Sequence, residues 1–180
     1  MSVNNVVTAE DRQQVAELLG REPRGLEAVA VRDDKGVPMV IRVAPLVDDK
    51  PFPTLFWLID KRINYAIDQV EAGGLIAKFQ QQVDGDQQLQ LQLRADHQKY
   101  IALRLSYMSP SQRESIEQRG FSSALEERGI GGIADFQRIR CLHTYYAAHL
   151  VCPNVVGRLL DAYWRDVGVT FSHFSPSVSG

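Results

Sequence analysis

The chain has little net charge, only two cysteines and no long apolar run, and each shortage removes a class of function. Twenty Lys plus Arg against twenty-two Asp plus Glu leave a formal charge of −2, so no global positive field draws in nucleic acid or anionic lipid. Nowhere do about eighteen apolar residues follow one another, as a membrane-spanning helix requires. Met1 to Val7 lacks the charged region and apolar stretch of a secretory signal, and a cytoplasmic location is expected. Cys141 and Cys152 are too few for a disulfide framework, and a reducing compartment would keep both as thiols. The phosphate-binding loop ending in Gly-Lys-Ser or Gly-Lys-Thr is missing as well.

What is present suits a folded domain. The 180 residues are 44% hydrophobic and 23% charged, close to an average globular composition. Thr8 precedes a helix expected over residues 9 to 19, ended by Gly20. Leu26 to Val31 and Met39 to Val43 flank the turn-rich Asp33-Asp34-Lys35-Gly36 and predict a hairpin. Thr54 to Ile59 is almost wholly apolar, which predicts the central strand of the sheet. Asp60 can cap a helix carrying Ile63, Ile67 and Val70, which Gly73-Gly74 stops.

The Gln-rich stretch that follows alternates like a strand around Leu89, Leu91 and Leu93. A wider window instead puts Leu89, Leu93, His97, Tyr100, Leu103 and Tyr107 on one stripe of a helix over residues 86 to 107. Ser109-Pro110 starts a short helix, Ser123 to Arg128 can form a helical turn, and Asp135 can cap a helix from Phe136 to Val151. A last helix is expected from Val155 to Val167. The fold class is therefore α+β, a small amino-terminal antiparallel or mixed sheet packed against a predominantly helical carboxyl-terminal layer. Residues 1–169 form a single domain in this reading, and residues 170–180 a mobile tail.

Chemistry-bearing residue types concentrate between Arg128 and Cys152. Gly129-Ile130-Gly131-Gly132 has the spacing of a dinucleotide fingerprint, but it does not follow a strand and no acidic ribose ligand lies at the required distance. It reads as a tight turn or as an anion site built from Gly129, Gly131 and Gly132 with Arg128, Arg138 and Arg140.

Cys141, His143, His149 and His97 are the candidate catalytic residues, because a nucleophilic thiol needs a lowered pKa and an aligned base. On one regular helix Cys141 and His143 would point about 200° apart, so the pair is not expected to grip a metal together. His149 and Cys152 have i,i+3 spacing but would need two further ligands such as His97, and no metal or other cofactor is assigned. Packing competes with each functional reading, since Ile139, Leu142, Tyr146 and Leu150 fill the same helix's apolar face. Arg113, Arg119, Arg128, Arg138 and Arg140 with Tyr145 and Tyr146 could meet a single strand, but interleaved Glu114, Glu117, Glu126 and Glu127 argue against nucleic acid.

Several short motifs occur in an order that resembles an uncharacterised bacterial family, domain of unknown function 501. They are Leu19 to Gly25, Pro51 to Leu55, Ile67 with Glu71 and Gly74, His97 with Tyr100, Gly129 to Ile133, Cys141-Leu142-His143, His149, and Asn154 to Gly157. Some relatives carry cysteines in the early hairpin and a proline after the residue matching Asn154, where this chain has Asp33 to Gly36 and Val155. The resemblance implies no reaction. It implies that His97, Cys141, His143 and His149 share one site. The leading expectation is a binding or regulatory protein recognising a protein or small anionic ligand. Beside it stand a small hydrolase or transferase using Cys141 as nucleophile, and metal binding through His97, Cys141, His149 or Cys152.

Overall fold

Three antiparallel strands and a set of helices are built from the local signals in turn. The computed structural model describes residues 6–171. Thr8 and Asp11 form a reciprocal capping box at the start of helix α1, Ala9–Leu19, and Gly20 closes it in the left-handed region. The Asp11 carboxylate also meets the Arg32 guanidinium at 2.5 Å, tying α1 to the hairpin.

Strands β1, Leu26–Arg32, and β2, Pro38–Val43, pair with Leu26 opposite Val43 and Val29 opposite Ile41. Asp33 organises their turn by accepting from the N–H groups of Lys35 and Val37, and Gly36 supplies the positive φ of 82°. Two-residue strands β3, Leu46–Val47, and β4, Lys50–Pro51, make a small side hairpin. Strand β5, Phe56–Leu58, then pairs antiparallel with β2, giving the order β1-β2-β5.

The expected central strand is thus an edge strand, and β2 is the centre. The apolar run around β5 reports burial rather than position in the ladder. Leu55, Phe56 and Ile59 are buried, and the Leu55 N–H is satisfied from outside the sheet by the Tyr100 hydroxyl at 2.7 Å.

Helix α2, Lys61–Ala72, starts where the Asp60 carboxylate accepts from the N–H groups of Arg62 and Ile63. Gly73-Gly74 separates it from α3, Leu75–Asp84. Helix α4, Gln87–Tyr107, follows the long stripe through Leu93, His97 and Tyr100, all buried. At its end the buried position belongs to Arg104, while Tyr107 is exposed under the Arg42 guanidinium. Arg104 donates to the carbonyls of Pro53, Leu125 and Arg128, joining the loop before β5 to the segment that leads into the glycine turn.

Helices α5, Pro110–Gln118, and α6, Ser122–Glu126, lead to a single 3-10 turn at Ile130–Gly132. Helix α7 is Leu142–Val151, six residues shorter at its start than the periodicity predicts. Asp135 does not cap it; its carboxylate closes a local turn by accepting from the Gln137 N–H. The segment before α7 finds partners on α3 instead, where Gln80 donates to the Gln137 carbonyl and accepts from the Ile139 N–H. Those side-chain bonds replace the helical ladder over that stretch.

Helix α8, Val155–Asp166, is capped by Asn154, whose side chain accepts from the Gly157 N–H. One apolar cluster runs through Met39, Val40 and Phe56 of the sheet, Leu142, Tyr145 and Tyr146 of α7, and Leu160 and Trp164 of α8. Each large side chain so buried contributes roughly 1.5–3 kcal/mol. Of the expected tail, Phe171 packs edge-on against Trp164, and residues 172–180 lie outside the described residues. No helix among the described residues is long and apolar enough to cross a membrane.

Candidate functional site

The stretch from Arg128 to Cys152 separates into three places, set by where α7 begins and what packs along it. In the first, His97 of α4 is fully buried. Its Nδ1 accepts from the Ile130 N–H at 2.9 Å, and its Nε2 lies 3.1 Å from the Tyr145 hydroxyl. Tyr145 donates to the Arg138 carbonyl, which leaves the imidazole Nε2–H as donor to the Tyr145 oxygen. Burial, opposed by the Asp135 charge, lowers the His97 pKa to about 4, in keeping with a neutral ring.

Glycine is required opposite that ring, because a Cβ on residue 129 would fall 2.2 Å from His97 Nδ1. The turn closes on itself: Gly129 N–H goes to the Ile133 carbonyl, Gly132 N–H to the Gly129 carbonyl, and Ile130 N–H to His97. These donors are therefore committed within the protein rather than presented to an anion. Gly131 and Gly132 both take positive φ, near 72°, which the turn itself requires. Arg128, Arg138 and Arg140 are exposed, and Arg138 is 3.9 Å from Asp135.

At the carboxyl end of α7, His149 is equally enclosed. Its Nδ1 accepts from the Asn154 N–H at 3.1 Å, so Nε2 donates to the Asp161 carboxylate at 2.8 Å. The other oxygen of Asp161 accepts from the Tyr146 hydroxyl. Gly157 sits against this ring so closely that a Cβ would fall 2.1 Å from His149 Cγ. Cys152 is half-buried beside Asp96, Lys99 and Pro153, where a cavity of about 10 Å³ has room for one water.

The third place is the amino end of α7. Cys141 is not on the helix but caps it in extended backbone, with φ −148°. That placement overturns the 200° argument, because Cys141 Sγ lies 3.7 Å from Nδ1 of His143. The opposite ring nitrogen, Nε2, meets the Asp68 carboxylate at 3.1 Å. Glu71, one turn further along α2, approaches Nδ1 at 3.5 Å and accepts from the Leu142 N–H at 2.6 Å. Asp68 and Glu71 thus come from α2, while Cys141 and His143 come from the start of α7. Cys141, Glu71 and His143 are all half-buried and reachable from solvent.

The electrostatics of this cluster favour a thiolate–imidazolium pair. Burial, with the Glu71 charge, opposes ionisation of Cys141. The His143 hydrogen bond and the Thr144 backbone outweigh them and hold its pKa below the usual thiol value. His143 is raised to about 9, first by its hydrogen bond to Cys141 and then by the charges of Cys141, Glu71 and Asp68. The partial positive charge of the α7 amino terminus favours the thiolate of Cys141.

His97 does meet α7, the helix that Cys141 caps, but through Tyr145. The expected single site of His97, Cys141, His143 and His149 is instead three separate sets of contacts, because α7 carries its chemistry at opposite ends and buries Tyr145 between them. Sequence reasoning passed over Asp68 as a partner and met Glu71 only as part of a motif. Their i,i+3 spacing at the edge of the Ile63, Ile67 and Val70 face was the available signal.

Fold and cluster together define an α+β protein carrying a half-exposed cysteine, histidine and carboxylate group at a helix start. The chain belongs to the family described as protein of unknown function, DUF501, whose profile matches residues 29–162. That match begins after the Leu19 to Gly25 motif and includes Asp68, Glu71, Cys141 and His143. No curated protein and no solved structure shows significant similarity to the chain.

Proposed function

We propose that the protein is a thiol-dependent hydrolase or transferase in which Cys141 is the nucleophile. The observation that carries this reading is the line from Cys141 Sγ through both nitrogens of His143 to Asp68, at 3.7 and 3.1 Å. A nucleophile within reach of a base, and a third group orienting that base, is the arrangement covalent catalysis needs. It moves the weight from ligand binding at the glycine turn to chemistry at the start of α7.

In the reaction this supports, the Cys141 thiolate attacks a carbonyl carbon and forms a carbon–sulfur bond. Collapse of the adduct expels the leaving group, which takes the proton from His143 Nδ1. His143 then removes a proton from water or an acceptor nucleophile, which attacks the thioester and restores the Cys141 sulfur. Asp68 keeps the ring turned toward sulfur throughout.

An activated ester such as p-nitrophenyl acetate tests the reading when adducts are followed by intact mass. One acetyl group is expected on Cys141 before Cys152, and Cys141→Ser removes it without unfolding the protein. His143→Ala should slow both acylation and its reversal. Equal acylation of the two thiols, or an acylation rate indifferent to His143, would sink the proposal.

A further inference from the structure

The same corner of the molecule has the dimensions of a metal site. Glu71, Cys141 and His143 each offer one ligand atom, and the three atoms lie within 4.8 Å of one another. Ordinary zinc bonds of about 2.3 Å to sulfur and about 2.1 Å to nitrogen or oxygen put tetrahedral neighbours about 3.6 Å apart for sulfur and nitrogen, and about 3.4 Å for nitrogen and oxygen. Here Cys141 Sγ and His143 Nδ1 are 3.7 Å apart, and His143 Nδ1 and Glu71 Oε1 are 3.5 Å apart. Both separations would need to close by only about 0.1 Å.

The surroundings fit as well. A ligating imidazole holds its orientation by donating its far nitrogen to a carboxylate, and His143 Nε2 faces Asp68 at 3.1 Å. The Glu71 carboxylate is itself steadied by the Leu142 N–H. One sulfur, one nitrogen and one oxygen ligand suit a borderline-soft divalent ion. Three protein ligands on a half-exposed corner leave the fourth position to water or to another ligand, unlike a closed structural zinc site.

We infer that Glu71, Cys141 and His143 bind a divalent zinc-class ion, and that the bound ion reversibly masks the Cys141 nucleophile. Zinc takes the place of the proton on His143 Nδ1, so one proton leaves as the metal binds, and the sulfur lone pair that would attack an electrophile is engaged in the metal bond. Metal binding stands on the ligand geometry alone, whereas its regulatory consequence rests on the nucleophile reading above.

The test uses the full chain with Cys152→Ser, so that a single thiol reports. Zinc is titrated by calorimetry while iodoacetamide measures the reactivity of Cys141. One zinc per chain is expected, with alkylation slowed at least tenfold at equimolar zinc and restored by a chelator. Glu71→Gln should weaken zinc binding tenfold or more. Asp68→Asn, which keeps all three ligands, should weaken it by about 10–100-fold.

Failure to bind zinc overturns the inference, even where Cys141 proves unusually reactive and the nucleophile reading survives. So does zinc affinity unchanged in Cys141→Ser and His143→Ala. Zinc bound at one equivalent to a thiol no more reactive than a free one supports the metal site and removes the masking, because the nucleophile reading is then the part that has failed.

Discussion

The two ends of α7 each pair a histidine with an aspartate, yet they are physically opposite. At the carboxyl end, His149 and Asp161 are about 5% exposed, and both ring nitrogens and both carboxylate oxygens have partners. At the amino end, the His143 side chain is 25% and the Asp68 side chain 63% exposed, and the ring also faces a thiol and a second carboxylate. A saturated, enclosed pair holds helices together. An accessible pair beside a nucleophile has capacity left for chemistry. Residue type alone does not tell them apart; access and unsatisfied bonding capacity do.

The sharpest break in that comparison is His149→Ala. It removes the donor to a buried carboxylate and the acceptor of the Asn154 N–H, and each buried group so left without its partner costs about 1–3 kcal/mol. Urea unfolding should show this loss, while His143→Ala falls within about 1 kcal/mol of the parent. Equal losses in the two variants would erase the distinction.

A second test concerns the other enclosed ring, His97. Its folded pKa of about 4 lies below the ordinary value of 6.5, so between those pH values the unfolded chain binds the proton and the folded chain does not. Stability from this group is therefore full above about pH 6.5 and declines as pH falls to about 4, by up to about 3 kcal/mol. Asp96, which burial raises, acts with opposite sign at the acid end. Denaturant midpoints at pH 7 and pH 4.5 should differ less in His97→Gln than in the parent, and an unchanged difference would remove His97 as the cause.

Gly157→Ala probes the packing of the carboxyl end without touching any charge. The added methyl would collide with His149 Cβ, Cγ and Nδ1, so ring or helix must move, and overpacking of this kind costs about 1–3 kcal/mol. A melting temperature lowered by several degrees is expected; a higher one, as alanine's helix propensity alone would give, contradicts the close contact.

Much of this fold was legible because its signals are local. Thr8, Asp60 and Ser109 cap helices with their own side chains, and the Asp33 to Gly36 turn organises itself. What periodicity could not show was decided across the chain. The start of α7 is set by Gln80, a residue 59 positions from its partner Ile139, and the edge position of β5 is set by strand pairing. The thiol's neighbours were hidden for the same reason. A helix assumed from Phe136 turned Cys141 away from His143, and the carboxylates that complete the cluster arrive from α2. Arg104 is the converse case, a charged side chain whose buried role depends on carbonyls from two distant segments, the loop before β5 and the stretch from α6 to the glycine turn.

The smallest expected effect falls on the most exposed member of the cluster, and it tests whether Asp68 orients His143 or merely lies near it. An exposed carboxylate–imidazole pair contributes about 0.2–1 kcal/mol, so Asp68→Asn should leave the unfolding midpoint almost unchanged. Asn can still accept from His143 Nε2 but carries no charge, so the Cys141 thiolate loses part of its support through the ring. Alkylation of Cys141 at pH 7 should slow about 1.4- to fivefold, the rate equivalent of that energy. Asp68→Ala, which removes the acceptor too, should slow it further, and alkylation of Cys152 in the same sample should not change. A purely structural Asp68 would move the two thiols together or neither, whereas an orienting one acts through His143 and is silent in a His143→Ala background.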